Sequence, residues 1–369
     1  MSKVYFTDMR TSFTENLPQK LTRLIDRAGL GTIDFDHKFV AIKIHFGELG
    51  NLAYLRPQYA RALAAYIKER GGIPFLTDCN TLYVGSRKNA PEHIDTAYIN
   101  GYTPYATGCQ VIIADGIKGA DEAYIPIDCE EVKTAKIGRA IADADIIISL
   151  NHFKGHEEAG FGGALKNLGM GSGSRAGKME MHYDGKPVVD RDLCRGCHMC
   201  ANICANNGIH YENSKAVIDH DNCVGCGRCI AICNFDAIQP DNSSSETSLN
   251  KRIAEYAYAV VKDKPNFHIS IAADISPNCD CHPENDAPIV PNIGMFASFD
   301  PVALDAACAD ACNRQPVLPQ SLLADALAGH EDHHDHFTNV SPETNWRLTL
   351  EHAERIGIGT QQYELITVK

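Results

Sequence analysis

The sequence lacks the features that carry a protein into or across a membrane. It contains no apolar run near the length of about 20 residues that a membrane helix needs, and its N-terminus lacks the apolar core of a signal peptide. Basic residues are also in the minority, since 34 Lys and Arg against 47 Asp and Glu give a net charge of −13. We therefore expect a cytoplasmic protein with neither a membrane nor nucleic acid as a partner, because nucleic-acid phosphates are bound by clustered Lys and Arg.

Fingerprints of common organic cofactors are absent as well. No flavin, nicotinamide or haem motif is evident, and the chain has no Walker P-loop. Cysteine, by contrast, is abundant, with 15 in 369 residues. Disulfides are rare in the reducing cytoplasm, so this abundance favours metal ligation.

Eight of these cysteines form two copies of one spacing, C-x2-C-x2-C-x3-C. The first copy consists of Cys194, Cys197, Cys200 and Cys204, and the second of Cys223, Cys226, Cys229 and Cys233. The flanking residues repeat too, which indicates an internal duplication. The spacing resembles that of two-cluster bacterial ferredoxins, in which one loop gives three thiolates to one cluster and a fourth to its neighbour.

This resemblance implies two 4Fe–4S clusters as cofactors. One cluster is expected on Cys194, Cys197, Cys200 and Cys233, and the other on Cys223, Cys226, Cys229 and Cys204. Structural zinc is the alternative, but zinc sites seldom use three cysteines at successive two-residue gaps. Ala205 and Asn234 stand where such ferredoxins usually carry proline, a difference that leaves the ligands intact.

The rest of the chain alternates strand-like and helix-like segments. This pattern predicts an α/β fold, a mostly parallel sheet with helices on both faces. We expect residues 1–186 and 242–369 to be two parts of that domain, and residues 187–241 to be a small inserted α+β ferredoxin-type domain. A polar linker follows the insert at residues 241–248, and a helix is predicted from Val132 to Ala142.

Basic side chains follow two of the predicted strands. Lys43 and His45 lie two apart at the end of one, and His152, Lys154 and His156 alternate after another. Side chains two apart share a face of a strand, and open α/β sheets bind ligands at their carboxyl edge. These residues are candidates for an anion site, a proton relay or a metal site, with a solvated strand end as the alternative.

Two further segments carry candidate chemistry. The glycine-rich stretch from Gly155 to Gly177, which includes Lys166, is predicted to be an ordered binding loop rather than a flexible connector. Later in the chain, Cys279, Cys281 and His282 follow another strand. Two thiols beside a histidine suit a further metal ion or redox chemistry.

Several segments resemble the DUF362 family, in the subset with a ferredoxin insert. They are KIHFGELGN at 43–51, DCNTLY at 78–83, HFKGHEEAGFGGALKNLGMG at 152–171, DISPNCDCHP at 274–283 and SFDPVALD at 298–305. The resemblance covers nearly the whole chain and implies the same insertion architecture. It implies iron–sulfur binding but no known catalytic residue, because the family is defined by lacking an assigned reaction.

The main hypothesis is an iron–sulfur oxidoreductase that accepts electrons from a redox partner protein or a small-molecule donor. The electrons would reach an anionic substrate in a pocket built by Lys43, His45, His152, Lys154, His156 and Lys166. Two alternatives stay open: an electron-carrier or docking protein without chemistry of its own, and a non-redox lyase or isomerase with structural clusters.

Overall fold

The computed structural model describes residues 1–83, 85–183, 186–223, 225–240, 246–329 and 334–369. Residue 241 and most of the predicted linker lie outside these ranges. The strands are β1 (Ser2–Asp8), β2 (Phe39–Lys43), β3 (Ile73–Asp78), β4 (Gln110–Ile113), β5 (Glu122–Pro126), β6 (Thr134–Gly138), β7 (Ile146–His152), β8 (Lys154–His156), β9 (Gly160–Gly162), β10 (Pro187–Val189), β11 (Ile209–Glu212), β12 (Lys215–Ile218), β13 (Ile238–Pro240), β14 (Asn266–Ala272), β15 (Gly294–Ser298) and β16 (Tyr363–Thr367).

The helices lie between and around these strands. They are α1 (Leu17–Arg27), α2 (Pro57–Lys68), α3 (Ala90–Ile99), α4 (Pro104–Thr107), α5 (Arg139–Asp143), α6 (Ala164–Ser172), α7 (Arg175–Tyr183), α8 (Met199–Ile203), α9 (Arg228–Ile232), α10 (Glu246–Val261), α11 (Pro301–Asn313), α12 (Leu322–Gly329), α13 (His336–Val340) and α14 (Trp346–Arg355). In the described part of the chain, no helix combines the length and apolar character needed to cross a membrane.

Eight strands form one central sheet in the order β16-β1-β15-β14-β7-β2-β3-β4. Neighbours pair in parallel except at β15, which runs antiparallel to both β1 and β14. Strand β14 follows the cysteine-rich segment in sequence but pairs with β7, which precedes it. The predicted α/β fold with a mostly parallel sheet is confirmed.

Side chains along the central strands point alternately to the two faces of the sheet, and each face has its own hydrophobic core. Val40 and Ile42 of β2 pack on one face with α1 and α2, whereas Ala41 packs on the opposite face with α6, α10 and α11. Both sets of side chains are buried because helices cover both faces, as a mostly parallel sheet requires. The sheet is therefore the middle layer of three.

Two predictions of local structure are wrong. The helix expected from Val132 to Ala142 is split, because its first half forms β6 and pairs with β5, and only α5 is helical. The glycine-rich stretch is not one loop, since it forms the β8–β9 hairpin followed by α6 and α7. Its glycines serve close packing instead: a Cβ at Gly169 would collide with the Ile253 carbonyl oxygen of α10.

The cysteine-rich segment folds into small pieces beside this sheet. Strands β11 and β12 form a hairpin, β10 pairs with β13 at the two ends of the segment, and α8 packs against α9. The β10–β13 pair brings the entry and exit of the segment together. The boundaries predicted at residues 186 and 241 stay a prediction.

Candidate functional site

A cavity of about 480 Å³ lies where the carboxyl ends of β2, β3 and β7 meet. It is the place where open α/β sheets bind ligands. Of the residues predicted from sequence, His45, His152, Lys154, His156, Lys166, Cys281 and His282 line it. Lys43 and Cys279 lie behind that lining and are fully buried.

Lys43 takes part in a buried ion pair below the cavity floor. Its Nζ lies 2.9 Å from Asp78 Oδ1 and donates a hydrogen bond of 2.7 Å to Asn167 Oδ1. Burial lowers the pKa of Lys43, and the Asp78 carboxylate opposes that change. Lys43 therefore ties β2 to β3 and α6, and its charge is already paired.

His45 reaches the cavity as a neutral ring. Burial, together with the neighbouring Arg87 guanidinium, lowers the pKa of His45 to about 3. Its Nδ1 accepts the Gly47 N–H at 3.1 Å, and its Nε2 lies 3.0 Å from Arg87 Nη1. Arg87 also pairs with Glu48, with 3.1 Å between Nε and Oε2. Arg87 was not predicted from the sequence. It lies in the loop before α3, and only the fold brings that loop next to the end of β2.

His152 holds another part of the chain in position. Its Nδ1 lies 2.9 Å from Asp280 Oδ1, and its Nε2 lies 2.8 Å from the Ala273 carbonyl oxygen. Both ring nitrogens face oxygen atoms, so the ring bridges the Asp280 carboxylate and the end of the strand before it. Asp280 stands between the two cysteines Cys279 and Cys281, so His152 fixes the turn that carries them.

That turn, residues 279–282, has further anchors. The Glu48 N–H donates to the Asp280 carbonyl oxygen at 2.9 Å, and the Asn51 side chain donates to the His282 carbonyl oxygen at 3.0 Å. Within the turn, the His282 N–H donates to the Cys279 carbonyl oxygen at 3.0 Å. The KIHFGELGN and DCHP motifs are therefore packed against each other.

Three cationic or titratable side chains approach this turn from β8 and α6. Lys166 Nζ lies 3.4 Å from Cys279 Sγ. His156 Nδ1 accepts two backbone N–H groups, from Glu158 at 3.0 Å and from Ala159 at 3.1 Å. Lys154 is largely buried and lines the cavity, and its Nζ has no hydrogen-bond partner among the described residues.

The two thiols of the turn affect each other's acidity. The neighbouring Cys281 thiol, together with Lys154, Lys166 and His156, holds the pKa of Cys279 well below its ordinary value. The interaction with Cys279 and burial raise the pKa of Cys281. Of the two thiols, Cys279 therefore ionises more readily.

Candidate metal-ligand groups are present at this turn. The ligand atoms of His156, Cys279 and Cys281 lie within 4.8 Å of one another, as do those of Glu157, Cys281 and His282. The sequence grouped Cys279, Cys281 and His282 together, but the structure divides them between two overlapping sets. Nothing in the sequence indicated that His156 is their neighbour, because His156 lies on β8, far from them in the chain.

The two cysteine runs have matching backbones. Gly196 and His198 in the first run, and Gly225 and Gly227 in the second, all adopt positive φ, between 64° and 67°. These left-handed residues turn each loop so that successive cysteines face one side. The match follows the sequence duplication residue by residue.

Backbone N–H groups point at several of these sulfurs. Cys204 Sγ accepts from the Gly208 N–H and Cys233 Sγ from the Ala237 N–H, each at 3.3 Å. Burial raises the pKa of Cys223, and the nearby thiols of Cys226 and Cys204 raise it further. Cys204 therefore lies near Cys223 of the second cysteine run.

The cysteine-rich segment also forms part of the cavity wall. Ile230, Ile238 and Pro240 line the same cavity as Lys154 and His156. Within the segment's hydrophobic core, Cys229 and Cys233 pack with Leu82 and Met179, which belong to the α/β part of the chain. The segment and the sheet edge thus enclose the cavity together.

The sequence matches the family described as Domain of unknown function (DUF362) over residues 40–310. The chain belongs to the DUF362 family. The DUF362 match begins in β2 and ends in α11, so it includes every residue named above as lining the cavity. No curated protein matches the chain.

Two solved structures resemble this DUF362 protein in fold. A Thermotoga maritima protein is 14% identical, with a TM-score of 0.41 over 83% of this chain and 59% of that one. The lactate racemase apoprotein from Thermoanaerobacterium thermosaccharolyticum is 10% identical, with a TM-score of 0.44 over 100% of this chain and 83% of its own. The chain thus spans 59% of the length of the Thermotoga protein.

Proposed function

We propose that this DUF362 protein is a cytoplasmic iron–sulfur oxidoreductase that reduces or oxidises a small anionic substrate in the cavity. Two 4Fe–4S clusters would be held by the eight cysteines of residues 187–241, with Cys204 and Cys233 as the crossing ligands. When bound, the clusters would supply single electrons delivered by a redox partner protein or a small-molecule donor.

The donor set fits such clusters better than it fits zinc. In a tetrahedral zinc site with bonds of 2.3 Å, the sulfurs would lie about 3.8 Å apart. Among the described residues, none of the eight cysteines belongs to a group of three ligand atoms within 4.8 Å of one another. A four-iron cubane holds its thiolates farther apart than one ion does. The N–H groups aimed at Cys194, Cys204 and Cys233 also suit cluster-bound sulfur.

One observation supports an enzyme over a simple electron carrier. The cavity is lined both by the cysteine-rich segment, through Ile230 and Ile238, and by the basic edge of the sheet, through Lys154 and His156. A protein that only carried electrons would need no cavity of about 480 Å³, a volume within the range of small-molecule sites.

The chain's own residues have distinct tasks in this proposal. Lys154 would bind the anionic group of the substrate, because it lines the cavity and its ammonium has no hydrogen-bond partner among the described residues. His45 would orient the substrate as a neutral ring, since its pKa is lowered to about 3. His152 and Lys43 are paired with carboxylates and would act as positioning residues.

The test begins with the full chain purified without oxygen. We expect about eight iron atoms per chain and an electron paramagnetic resonance signal of reduced 4Fe–4S clusters after treatment with dithionite. The reduced protein is then mixed with anionic small-molecule oxidants, and cluster reoxidation is followed by absorbance. Lys154→Met should slow reoxidation by an anionic oxidant about tenfold, the loss expected for one charge-assisted contact.

Lys133→Met is the matched control, because that side chain is 70% exposed on the β5–β6 hairpin. It should leave the rate unchanged. If Lys154→Met and Lys133→Met react alike with every oxidant, the cavity has no part in the reaction and the protein is an electron carrier. If turnover of a substrate persists when the clusters cannot be reduced, the chemistry is that of a lyase or isomerase.

A further inference from the structure

The two cysteines of the turn at residues 279–282 differ in their access to the cavity. Cys281 lines the cavity, whereas Cys279 is fully buried behind it. The two sulfurs lie within 4.8 Å of each other, and their interaction lowers the pKa of Cys279 and raises the pKa of Cys281. The His282 N–H bond to the Cys279 carbonyl oxygen bends the chain between the cysteines. Such bending is needed for residues two apart to be bridged by a disulfide.

Positive groups surround the charge of this pair. Lys166 Nζ is 3.4 Å from Cys279 Sγ. Lys154 and His156 act on the same sulfur from β8. A buried charge needs such compensation, and thiolates next to cationic groups are the reactive ones in proteins.

A metal ion fits this arrangement poorly. His156 Nδ1 accepts N–H groups from Glu158 and Ala159, so the lone pair of that nitrogen is already engaged and is not available to an ion. The Lys166 ammonium occupies one side of Cys279 and would repel a cation. His282 Nε2 in the second candidate group is taken by Glu157, with 2.8 Å to Oε1.

We propose that Cys281 and Cys279 form a redox-active thiol pair that reduces the disulfide of a small anionic thiol bound in the cavity. Cys281 is the attacking sulfur and Cys279 the resolving one. This inference deepens the proposed oxidoreductase function, on which it rests, by naming the substrate class and the reacting atoms.

The reaction balances without another reagent. Cys281 passes its proton to Cys279 and attacks one sulfur of the substrate, which forms a mixed disulfide and releases the first thiolate. Cys279 then gives that proton to the departing thiolate and attacks Cys281, which closes the Cys279–Cys281 disulfide and releases the second thiolate. One substrate disulfide is reduced to a thiol and a thiolate, and the protein pair is oxidised by two electrons.

The anionic character of the substrate follows from Lys154. Lys154 lines the cavity near the turn, since its charge acts on Cys279 and Asp280, and among the described residues its ammonium has no hydrogen-bond partner. Lys166, by contrast, donates a hydrogen bond to Cys279. A carboxylate of the substrate would therefore meet Lys154 while the substrate sulfur meets Cys281.

The test uses the full-length, oxygen-free protein and the dicarboxylate disulfide of 3-mercaptopropionate. After reaction the protein is acid-quenched, alkylated and digested, and the peptide containing both cysteines is weighed by mass spectrometry. We expect that peptide to carry two alkyl groups before reaction and none afterwards, with a mass two hydrogens below that of the dithiol. Cys308 and Cys312 are an internal control, because they are buried four apart on α11 and should remain thiols.

Three variants assign the roles. Cys279→Ser should accumulate a mixed disulfide between Cys281 and the substrate thiol. Cys281→Ser should not react with the substrate disulfide at all. Lys154→Met should slow the reaction with the dicarboxylate disulfide about tenfold more than it slows the reaction with the uncharged bis(2-hydroxyethyl) disulfide. Equal slowing of both probes would overturn the anion assignment.

Two results would overturn the thiol pair itself. One is full alkylation of both cysteines after exposure to the disulfide, and the other is a stoichiometric metal other than iron that shields them. Cluster absorbance recorded on the same sample separates this inference from the proposed function. Intact clusters with an unreactive pair refute only the thiol chemistry, whereas a reactive pair without clusters refutes the iron–sulfur proposal.

Discussion

At the residue scale, glycine sets how closely β8 approaches the turn with the two thiols. The Gly155 N–H donates to the Ser276 carbonyl oxygen at 2.8 Å, and a Cβ at Gly155 would collide with the Pro277 carbonyl oxygen. Both partners are backbone atoms, so the collision cannot be relieved by a side-chain rotation. Cys279 and Cys281 can therefore lie beside Lys166 only because residue 155 is glycine and has no Cβ.

Gly155→Ala should consequently shift this turn and lower the free energy of unfolding by about 1–3 kcal/mol, the usual cost of overpacking. Urea denaturation measures the loss, and the alkylation rate of Cys281 reports the displaced turn. Gly329→Ala is the control, since a Cβ there meets no atom within 4 Å. Equal stability of the two variants would contradict the close contact.

Asp305 gives a second prediction at this scale, on pH. It is fully buried and accepts the N–H groups of Ala164 at 2.7 Å and Leu165 at 2.9 Å, at the start of α6. Burial raises the pKa of Asp305 to about 7 from an ordinary value of 3.8. Between these values the native state keeps a proton that the unfolded chain has lost, so the free energy of unfolding falls as pH rises from about 4 to 7.

Asp305→Asn should remove this slope, because an amide does not titrate there, and should cost about 1 kcal/mol at low pH through the lost acceptor. Urea denaturation at several pH values within that window measures both effects. Asp263→Asn is the control, as that side chain is 80% exposed. A slope that survives in Asp305→Asn would assign the pH dependence to another group.

At the element scale, α6 and α10 show why glycine was misread in the sequence. Glycine allows both unusual φ angles and close backbone approach, and the sequence alone does not distinguish them. The contact partner of Gly169 is the Ile253 carbonyl oxygen, far away in the sequence on α10. The sequence could thus identify the segment but not the helix packing that its glycines permit.

Gly169→Ala should force α6 away from α10 and destabilise the protein by about 1–3 kcal/mol. Because α6 also carries Lys166 and Asn167, the variant should in addition weaken the contact between Lys166 and Cys279. Denaturation and the alkylation rate of the thiol pair measure the two effects separately. Unchanged stability would mean that the helices do not approach as closely as described.

The strand ends were more predictable than the partners of their side chains. Alternation along β2 and β7 correctly indicated the carboxyl edge of the sheet, because periodicity is a local property. Whether a given side chain faces the cavity is decided by distant residues: Lys43 is drawn to Asp78 and Asn167, and His152 to Asp280. Lys154, which has no hydrogen-bond partner in the described part of the chain, lines the cavity, as do His45, His152 and His156.

At the scale of the whole molecule, the two cores and the cysteine-rich segment differ in what stabilises them. The central sheet has a core on each face, built from large aliphatic and aromatic side chains. The core of the cysteine-rich segment consists largely of cysteines and a few aliphatic residues, and its strands are three or four residues long. Segments that small usually need metals or disulfides to fold.

The proposed clusters would supply that metal, so removing iron with a chelator should unfold the cysteine-rich segment and leave the sheet intact. Limited proteolysis of the iron-depleted protein should cut between residues 187 and 240, whereas the loaded protein should resist. The two fragments should still co-elute in gel filtration, because β14 from the second fragment pairs with β7 from the first. Cleavage sites are identified by mass spectrometry, and circular dichroism should retain most of the helical signal. Fragments that separate, or cuts that fall mainly in the central sheet, would mean that the segment and the α/β part unfold as one unit.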